Sequence, residues 1–243
     1  YVKLAIAIGG AIPVCMLVNI VIERVAYRRL RNAPRLAPLI TAIGVSILLQ
    51  TIAMMIWTRN PLPFPQLLSP EPVLIGGALI SQTQILLLVL AAASMVGLVL
   101  LVEKTKMGRA MRATAENPRV AGLMGVDSNK VIVATFALGA ALAAVAGVMW
   151  GANYASIQFA MGFVPGLKAF SAAVLGGIGN IYGAMIGGIV LGLVESLGAG
   201  YIGDLTGGFL GSHYQDIFAF VVLILVLTVR PSGIMGERVA DRA

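Results

Sequence analysis

The sequence has little charge. Only 11% of its 243 residues are Asp, Glu, Lys or Arg, whereas 59% are hydrophobic. A soluble domain usually carries about 25% charged and about 45–50% apolar residues, because its surface must face water. The apolar residues also form long uncharged runs. These features exclude a soluble enzyme, a nucleic-acid-binding domain and a disordered chain, and they predict an integral membrane protein.

Cysteine and histidine are nearly absent. The single Cys15 excludes an intramolecular disulfide and a cysteine zinc cluster, and the single His213 excludes a multi-histidine metal site. We therefore expect no metal. The sequence also lacks the Gly-x-x-x-x-Gly-Lys-Ser/Thr phosphate loop and any nucleophile–base set beside its apolar runs. Neither an ATPase site nor an enzyme active site is predicted.

Long apolar runs predict membrane-spanning helices. A bilayer core needs about 20 apolar residues, and only a helix satisfies the backbone of such a run in lipid. Four uncharged runs qualify: 4–22, 36–57, 85–102 and 131–150. Glycine breaks the last third, where we predict a short helix at about 168–179, followed by helices at about 182–198 and 214–229. The expected fold is an all-α polytopic protein with about seven transmembrane segments, forming a single domain over 1–243.

The basic residues predict the orientation. Five arginines lie between the first two runs, six basic residues lie in 103–130, and three arginines follow the last run. Cytoplasmic loops are enriched in Lys and Arg, so these three regions are expected inside, and the net charge of +7 indicates topology and not nucleic-acid binding. A cytoplasmic C-terminus requires an odd number of crossings after the fourth run. The short helix at 168–179 is therefore expected to cross.

The inner loop 103–130 is longer than two adjacent helices need. Asn117 and Pro118 are typical of a helix start, as the capping residue and the first helical residue. Val120, Leu123 and Met124 then form a small apolar face at helical spacing, which Gly125 and Asp127 close. A helix lying on lipid headgroups is one interpretation. The small face favours the other, a helix that docks into a protein cleft.

The glycine-rich region and one acid are the remaining candidates. Gly179, Gly183 and Gly187 follow one another at i+4, a spacing that favours close helix packing or else a hinge beside a substrate path. Asn180 lies at the break, where its amide is placed to satisfy free backbone groups. Glu195 lies inside a predicted span, which suggests a proton relay or cation site. Its place near the outer end of the span favours a partnered or interfacial structural acid.

Several blocks of the sequence together resemble a known family. The blocks are Ala-Thr-Ala-Glu-Asn followed by Ala-Gly-Leu-Met-Gly-Val-Asp in 113–127, the run 136–147, the run 172–184, and the ending Arg-Pro-Ser-Gly at 230–233. These are similar to permease subunits of bacterial branched-chain amino acid ABC importers. The upstream block 22–31, Ile-Glu-Arg-Val-Ala-Tyr-Arg-Arg-Leu-Arg, resembles the LivH-type subunit.

The resemblance implies a transport subunit without chemistry of its own. It implies two cytoplasmic ABC ATPases that use ATP, a second homologous permease subunit, and an external binding protein that delivers leucine, isoleucine or valine. It also implies the bacterial cytoplasmic membrane, and no cofactor or nucleic acid bound by this chain. Loop 103–130 would then couple to the ATPases, with Glu116 and Arg119 pairing with charges at the rim of the cleft. Members of this family have further N-terminal helices, so we expect the natural chain to begin upstream of Tyr1.

A secondary transporter is the alternative. In that case Glu195 carries a coupling proton, and no motor is needed. The long inner loop favours the ATP-driven importer, because a self-powered transporter has no use for a motor-docking helix.

The orientation has a direct test. In a Cys15→Ala background, Asp204→Cys and Asp216→Cys should react with an impermeant thiol reagent from outside, and Arg119→Cys and Arg238→Cys only from inside. External labelling of Arg238→Cys would instead remove the segment 168–179 as a crossing.

Overall fold

A computed structural model describes residues 2–30, 33–34, 37–65, 72–75, 78–177, 179–205, 215–230 and 232–236. The chain divides into two compact units, Tyr1–Ala160 and Met161–Ala243. Helices dominate both units. The single membrane domain over 1–243 stays a prediction.

The first unit contains six α-helices among its described residues. They are α1 (Val2–Val25), α2 (Ala37–Ile56), α3 (Gln82–Lys104), α4 (Lys106–Glu116), α5 (Pro118–Leu123) and α6 (Ser128–Tyr154). A single 3-10 turn, Tyr27–Leu30, follows α1. Helix α3 begins at a capping box, in which the Ser81 hydroxyl accepts from the Gln84 N–H and the Gln84 side chain accepts from the Ser81 N–H.

Helices α1 and α6 make the most extensive helix contact of this unit. The Asn19 side-chain amide donates to the Phe136 carbonyl at 2.8 Å, and the Tyr27 and Phe136 rings lie 5.1 Å apart. Glu23, near the end of α1, is completely buried. Ala137, Ala140 and Ala144 form a buried face of α6. Small residues at this spacing allow helices to approach closely.

Short strands connect the helices of the first unit, which the all-α expectation did not include. They are β1 (Leu62–Pro63), β2 (Pro72–Ile75), β3 (Ala78–Ser81) and β4 (Ser156–Ile157), with β1 paired to β4 and β2 paired to β3, both antiparallel. The Phe64 N–H also donates to the Ala155 carbonyl at 3.0 Å. The prolines between positions 61 and 72 disfavour a helix in this segment. Its extended strands β1 and β2 pair with β4 and β3 instead.

The described residues of the second unit form three helices: α7 (Phe163–Gly176), α8 (Ile181–Leu205) and α9 (Gln215–Val229). Its buried core consists of Ala172, Leu175 and Leu191, against which α9 and the following segment pack through Leu223, Val226 and Ile234. Leu175 has no exposed surface.

Helix α7 differs from the predicted short helix 168–179. It begins five residues earlier and ends at Gly176, because Gly177 has φ +108° and Gly179 has φ +96°. Pro165 is tolerated near the helix start, since the first N–H groups of a helix have no intrahelical partner. Lys168 consequently lies inside α7 and not at its beginning.

Backbone contact between α7 and α8 is direct. A Cβ atom at Gly183 would overlap the Gly176 carbonyl, and one at Gly187 would overlap the Ala172 carbonyl. The segment after α9 closes the end of α7, because the Ile234 and Met235 N–H groups donate to the Leu175 and Gly176 carbonyls at 2.8 and 2.9 Å. The break between the two helices is thus a packed corner.

Each of the seven predicted segments overlaps an observed helix, but these helices differ in length. Within the part of the chain that the structure describes, four helical stretches are long and apolar enough to cross a membrane: Val2–Leu30, Gln82–Lys104, Ser128–Tyr154 and Ile181–Tyr201. Three apolar stretches are shorter: Ile40–Ile56, Phe163–Gly176 and Phe220–Val229. The count of seven crossings stays a prediction.

The α7–α8 contact predicts different effects for two glycines of one helix. Gly187→Ala should lower the thermal midpoint of the purified protein, because overpacking against backbone typically costs about 1–3 kcal/mol. Gly192→Ala is the matched control, since nothing lies within 4 Å of a Cβ atom built there. It should leave the midpoint unchanged or raise it slightly, because alanine favours a helix over glycine. Equal midpoints for the two variants would contradict the tight contact.

Candidate functional site

The predicted inner loop 103–130 is helical over most of its length. Helix α4 follows α3 after a single residue, and α5 follows α4 in the same way. The second of these helices was predicted from the sequence, whereas α4 was not. Its signal was present: Met107, Met111 and Thr114 recur at helical spacing and are partly or fully buried, while Arg109 and Arg112 are exposed.

Helix α5 presents an apolar tip. The Asn117 side chain accepts from the Arg119 and Val120 N–H groups at 3.0 and 3.2 Å, with Pro118 at the first helical position. The side chains of Val120, Leu123 and Met124 are 53%, 87% and 81% exposed. Exposed apolar residues grouped in this way are typical of a contact surface.

The remaining predicted loop residues surround this tip. Glu116 and Arg119 are exposed beside it, and Gly125 leaves the helix with φ +82°. Met124 follows the last helical residue and lies at its cap. Ala121, 3% exposed, holds the opposite side of α5 against the protein.

Hydrogen bonds connect α5 to the start of α6. The Ser128 hydroxyl donates to the Pro118 carbonyl at 3.2 Å, and the Val126 N–H donates to the Ala121 carbonyl at 3.0 Å. Asp127, expected to close α5, instead caps α6 by accepting from the Asn129 and Lys130 N–H groups. The Lys130 N–H, followed by the Lys130 side chain and the Asn129 N–H, holds the pKa of the Asp127 carboxyl below its usual value.

Similar contacts connect α4 to the end of α3. The Thr105 hydroxyl accepts from the Gly108 N–H at 3.0 Å, and the Arg112 guanidinium donates to the Val102 carbonyl. Gly108 is buried directly against that carbonyl, so a Cβ atom would not fit. Helices α4 and α5 therefore form a hydrogen-bonded platform between the ends of α3 and α6.

The second unit contains an ion pair inside its helices. The Lys168 ammonium of α7 donates to the Glu195 carboxylate of α8, and the two side chains are 23% and 20% exposed. Glu195 was a candidate from the sequence, but its partner Lys168 was not. Lys168 and Glu195 are 27 residues apart in the sequence. The sequence did not predict which residues of α7 and α8 face each other.

The glycine-rich residues lie at the α7–α8 corner. The Asn180 carbonyl oxygen accepts from the Gly183 N–H at 3.0 Å, and its amide nitrogen donates to the Met235 carbonyl at 3.1 Å. Gly183 and Gly187 lie in the contact between α7 and α8. Gly179 has open space around it and lies, with positive φ, in the turn between these helices. A hinge at these residues stays a prediction.

A cavity of about 440 Å³ lies between α3 and α6 in the first unit. Its lining is mostly aliphatic, and Ser94, Asn153 and Tyr154 contribute polar groups. The ring centroids of Trp150 and Tyr154 lie 4.4 Å apart, with the two rings tilted by 35°. Concave apolar surfaces with a few polar groups are typical of small-molecule sites. The apolar runs of the sequence predicted both helices but not the space between them.

The platform residues and the glycine–acid residues belong to different units. Within the described part of the chain, no three His, Cys, Asp or Glu side chains come together as a metal site would require. The platform offers an exposed apolar contact surface, and the second unit offers an ion pair.

Comparisons with known proteins give a consistent result. The chain matches the model of a family described as the branched-chain amino acid transport system permease component over residues 1–227. It is 47% identical over 220 residues to the high-affinity branched-chain amino acid transport system permease protein BraD of Pseudomonas aeruginosa, covering 89% of this chain and 69% of BraD. No solved structure matches significantly.

Other relatives lie in the same and in a neighbouring group. The permease protein LivH of Escherichia coli K12, from a transport system of the same description, is 42% identical over 233 residues, covering 94% of this chain and 73% of LivH. The ribose import permease protein RbsC of the same organism is 32% identical over 131 residues, covering 51% and 39% of the two chains. The family match over nearly the whole chain shows that this protein belongs to the permease components of branched-chain amino acid transport systems.

Proposed function

We propose that this chain is one of two membrane subunits of an ATP-driven importer that moves leucine, isoleucine and valine into the cell. The observation that carries the proposal is the family match along residues 1–227. The apolar helices supply membrane-spanning segments. The sequence contains no phosphate loop, so separate subunits have to supply ATP hydrolysis.

The complete transporter then contains four kinds of partner. Two cytoplasmic ABC ATPases bind the inner platform, a second homologous permease completes the pore, an external binding protein delivers the amino acid, and lipid surrounds the helices. This chain binds no cofactor and no nucleic acid. Its place is the bacterial cytoplasmic membrane, with the C-terminus in the cytoplasm, as the distribution of basic residues favours.

The platform of α4 and α5 suits motion transfer. A displacement generated by ATP must enter the membrane part through a rigid contact, because a flexible contact dissipates it. The α5 tip inserts Val120, Leu123 and Met124 into an ATPase cleft, and the bonds to α3 and α6 pass the displacement to two long apolar helices. Glu116 and Arg119 orient the tip through charge pairs at the rim of the cleft.

The proposed transport is testable in vesicles. The reconstituted complex should accumulate labelled leucine, isoleucine or valine when ATP and the binding protein are present, and an uncoupler should have no effect. Uptake without ATPase subunits that collapses with an uncoupler would make the protein a proton-coupled secondary transporter.

The α5 tip predicts a selective loss of assembly. Truncating one well-packed anchor residue can cost about 2 kcal/mol of binding, roughly thirtyfold in affinity, and a buried charge adds to that loss. Leu123→Asp should therefore abolish co-purification of the ATPases and substrate-stimulated ATP hydrolysis, while membrane insertion stays normal.

The matched control is Leu79→Asp. It introduces the same charge at a leucine that is also exposed, 68% against 87%, but lies on β3 next to the start of α3 and not on the inner platform. ATPase co-purification should persist in this variant. An assembled and active Leu123→Asp complex would place the docking surface elsewhere, most simply in the arginine-rich segment between α1 and α2.

A further inference from the structure

The Lys168–Glu195 ion pair joins the two charged residues of a long apolar stretch of the sequence. No other Asp, Glu, Lys or Arg occurs between Phe163 and Gly203. The pair joins the middle of α7 to α8, and each side chain keeps about a fifth of its surface exposed. One positive and one negative group therefore lie together, partly accessible, within a stretch of sequence that is otherwise uncharged from Phe163 to Gly203.

Helices α7 and α8 also make extensive contacts that do not involve this pair. The two helices already meet backbone to backbone at Gly183 and Gly187, and Leu175 and Leu191 fill the core between them. Replacing a buried ion pair by apolar residues is often neutral or stabilising, because burying charge costs more than the pairing returns. Ionisable residues inside membrane segments almost always face the protein interior or a water-filled cavity, and they mark substrate paths.

We infer that Lys168 and Glu195 bind the charged end of a zwitterionic amino acid on its way through the permease. This inference rests on the proposed function. At neutral pH the substrate carries one carboxylate and one ammonium group, the same set as the pair. The substrate carboxylate replaces Glu195 at the Lys168 ammonium, and the substrate ammonium replaces Lys168 at the Glu195 carboxylate.

The exchange keeps every buried charge paired. When the amino acid enters, two substrate–protein ion pairs replace the single internal pair, and when it leaves the internal pair forms again. Leaving a buried charge without a partner is strongly unfavourable, so this cycle avoids the largest electrostatic cost of moving a zwitterion through an apolar region. The flexible four-carbon stem of Lys168 allows the small movement that opens the pair.

Apolar surface adjoins the charged groups. Val164 lies one turn before Lys168 on the same side of α7 and is 44% exposed. It offers contact to an aliphatic substrate side chain while the pair holds the charged end. A branched-chain amino acid has these two parts, a short zwitterionic end and a compact apolar side chain.

Four variants of the reconstituted complex and one control test the inference, with ATP-driven uptake of labelled leucine and the thermal midpoint as readouts. Lys168→Gln and Glu195→Gln should each lower uptake at least about tenfold, because each removes a charge-assisted hydrogen bond to the substrate. The apolar pair Lys168→Leu/Glu195→Leu should assemble with the ATPases but not transport. Arg230→Gln, which removes an exposed cation of the same unit, is the matched control and should transport normally.

The fourth variant separates substrate recognition from a structural role. The swap Lys168→Glu/Glu195→Lys restores an ion pair, so it should recover the thermal midpoint, but it reverses the charge order that the substrate meets and should not recover uptake. Wild-type uptake in the swap or in the double leucine variant overturns this inference alone. A wild-type complex that imports no amino acid overturns the proposed function together with it.

Discussion

The absence of water from the bilayer core is the constraint on which the rest of the structure depends. Every backbone N–H and C=O in that region needs a partner within the protein, so the apolar runs form helices. The same constraint applies where a helix stops. At the α7–α8 corner, Asn180 accepts from the Gly183 N–H, and the segment after α9 donates to the last carbonyls of α7. An interrupted helix is stable here because distant residues complete its hydrogen bonds.

Polar groups also hold together the platform formed by α4 and α5. Thr105, Asn117 and Asp127 cap three successive helices, so the chain turns three times with almost no loop. Bonds from Arg112 and Ser128 hold these helices to their neighbours in the first unit. The exposed Leu123 and Met124 of α5 therefore project from helices that several hydrogen bonds hold to their neighbours.

Most of the helical architecture and the family could be predicted from the sequence. Each of the seven apolar segments overlaps an observed helix, and the Asn117–Pro118 start of α5 is observed as predicted, because helix length, capping and hydrophobic spacing act over a few neighbouring residues. The start of α7 was predicted five residues too late, since Lys168 was assigned to the beginning of the helix. Helix α4 was missed although its apolar spacing is visible, because its charges were interpreted as loop.

Contacts between distant residues were decided only by the tertiary structure. The partner of Glu195 lies on another helix, the strand β1 pairs with β4 across more than 90 residues, and the burial of Glu23 follows from how its helix packs. Composition and spacing describe what each segment prefers by itself. Which face meets which depends on the fit of side chains and backbones across helices, such as the glycine contacts of α8, and that fit exists only once the helices are assembled.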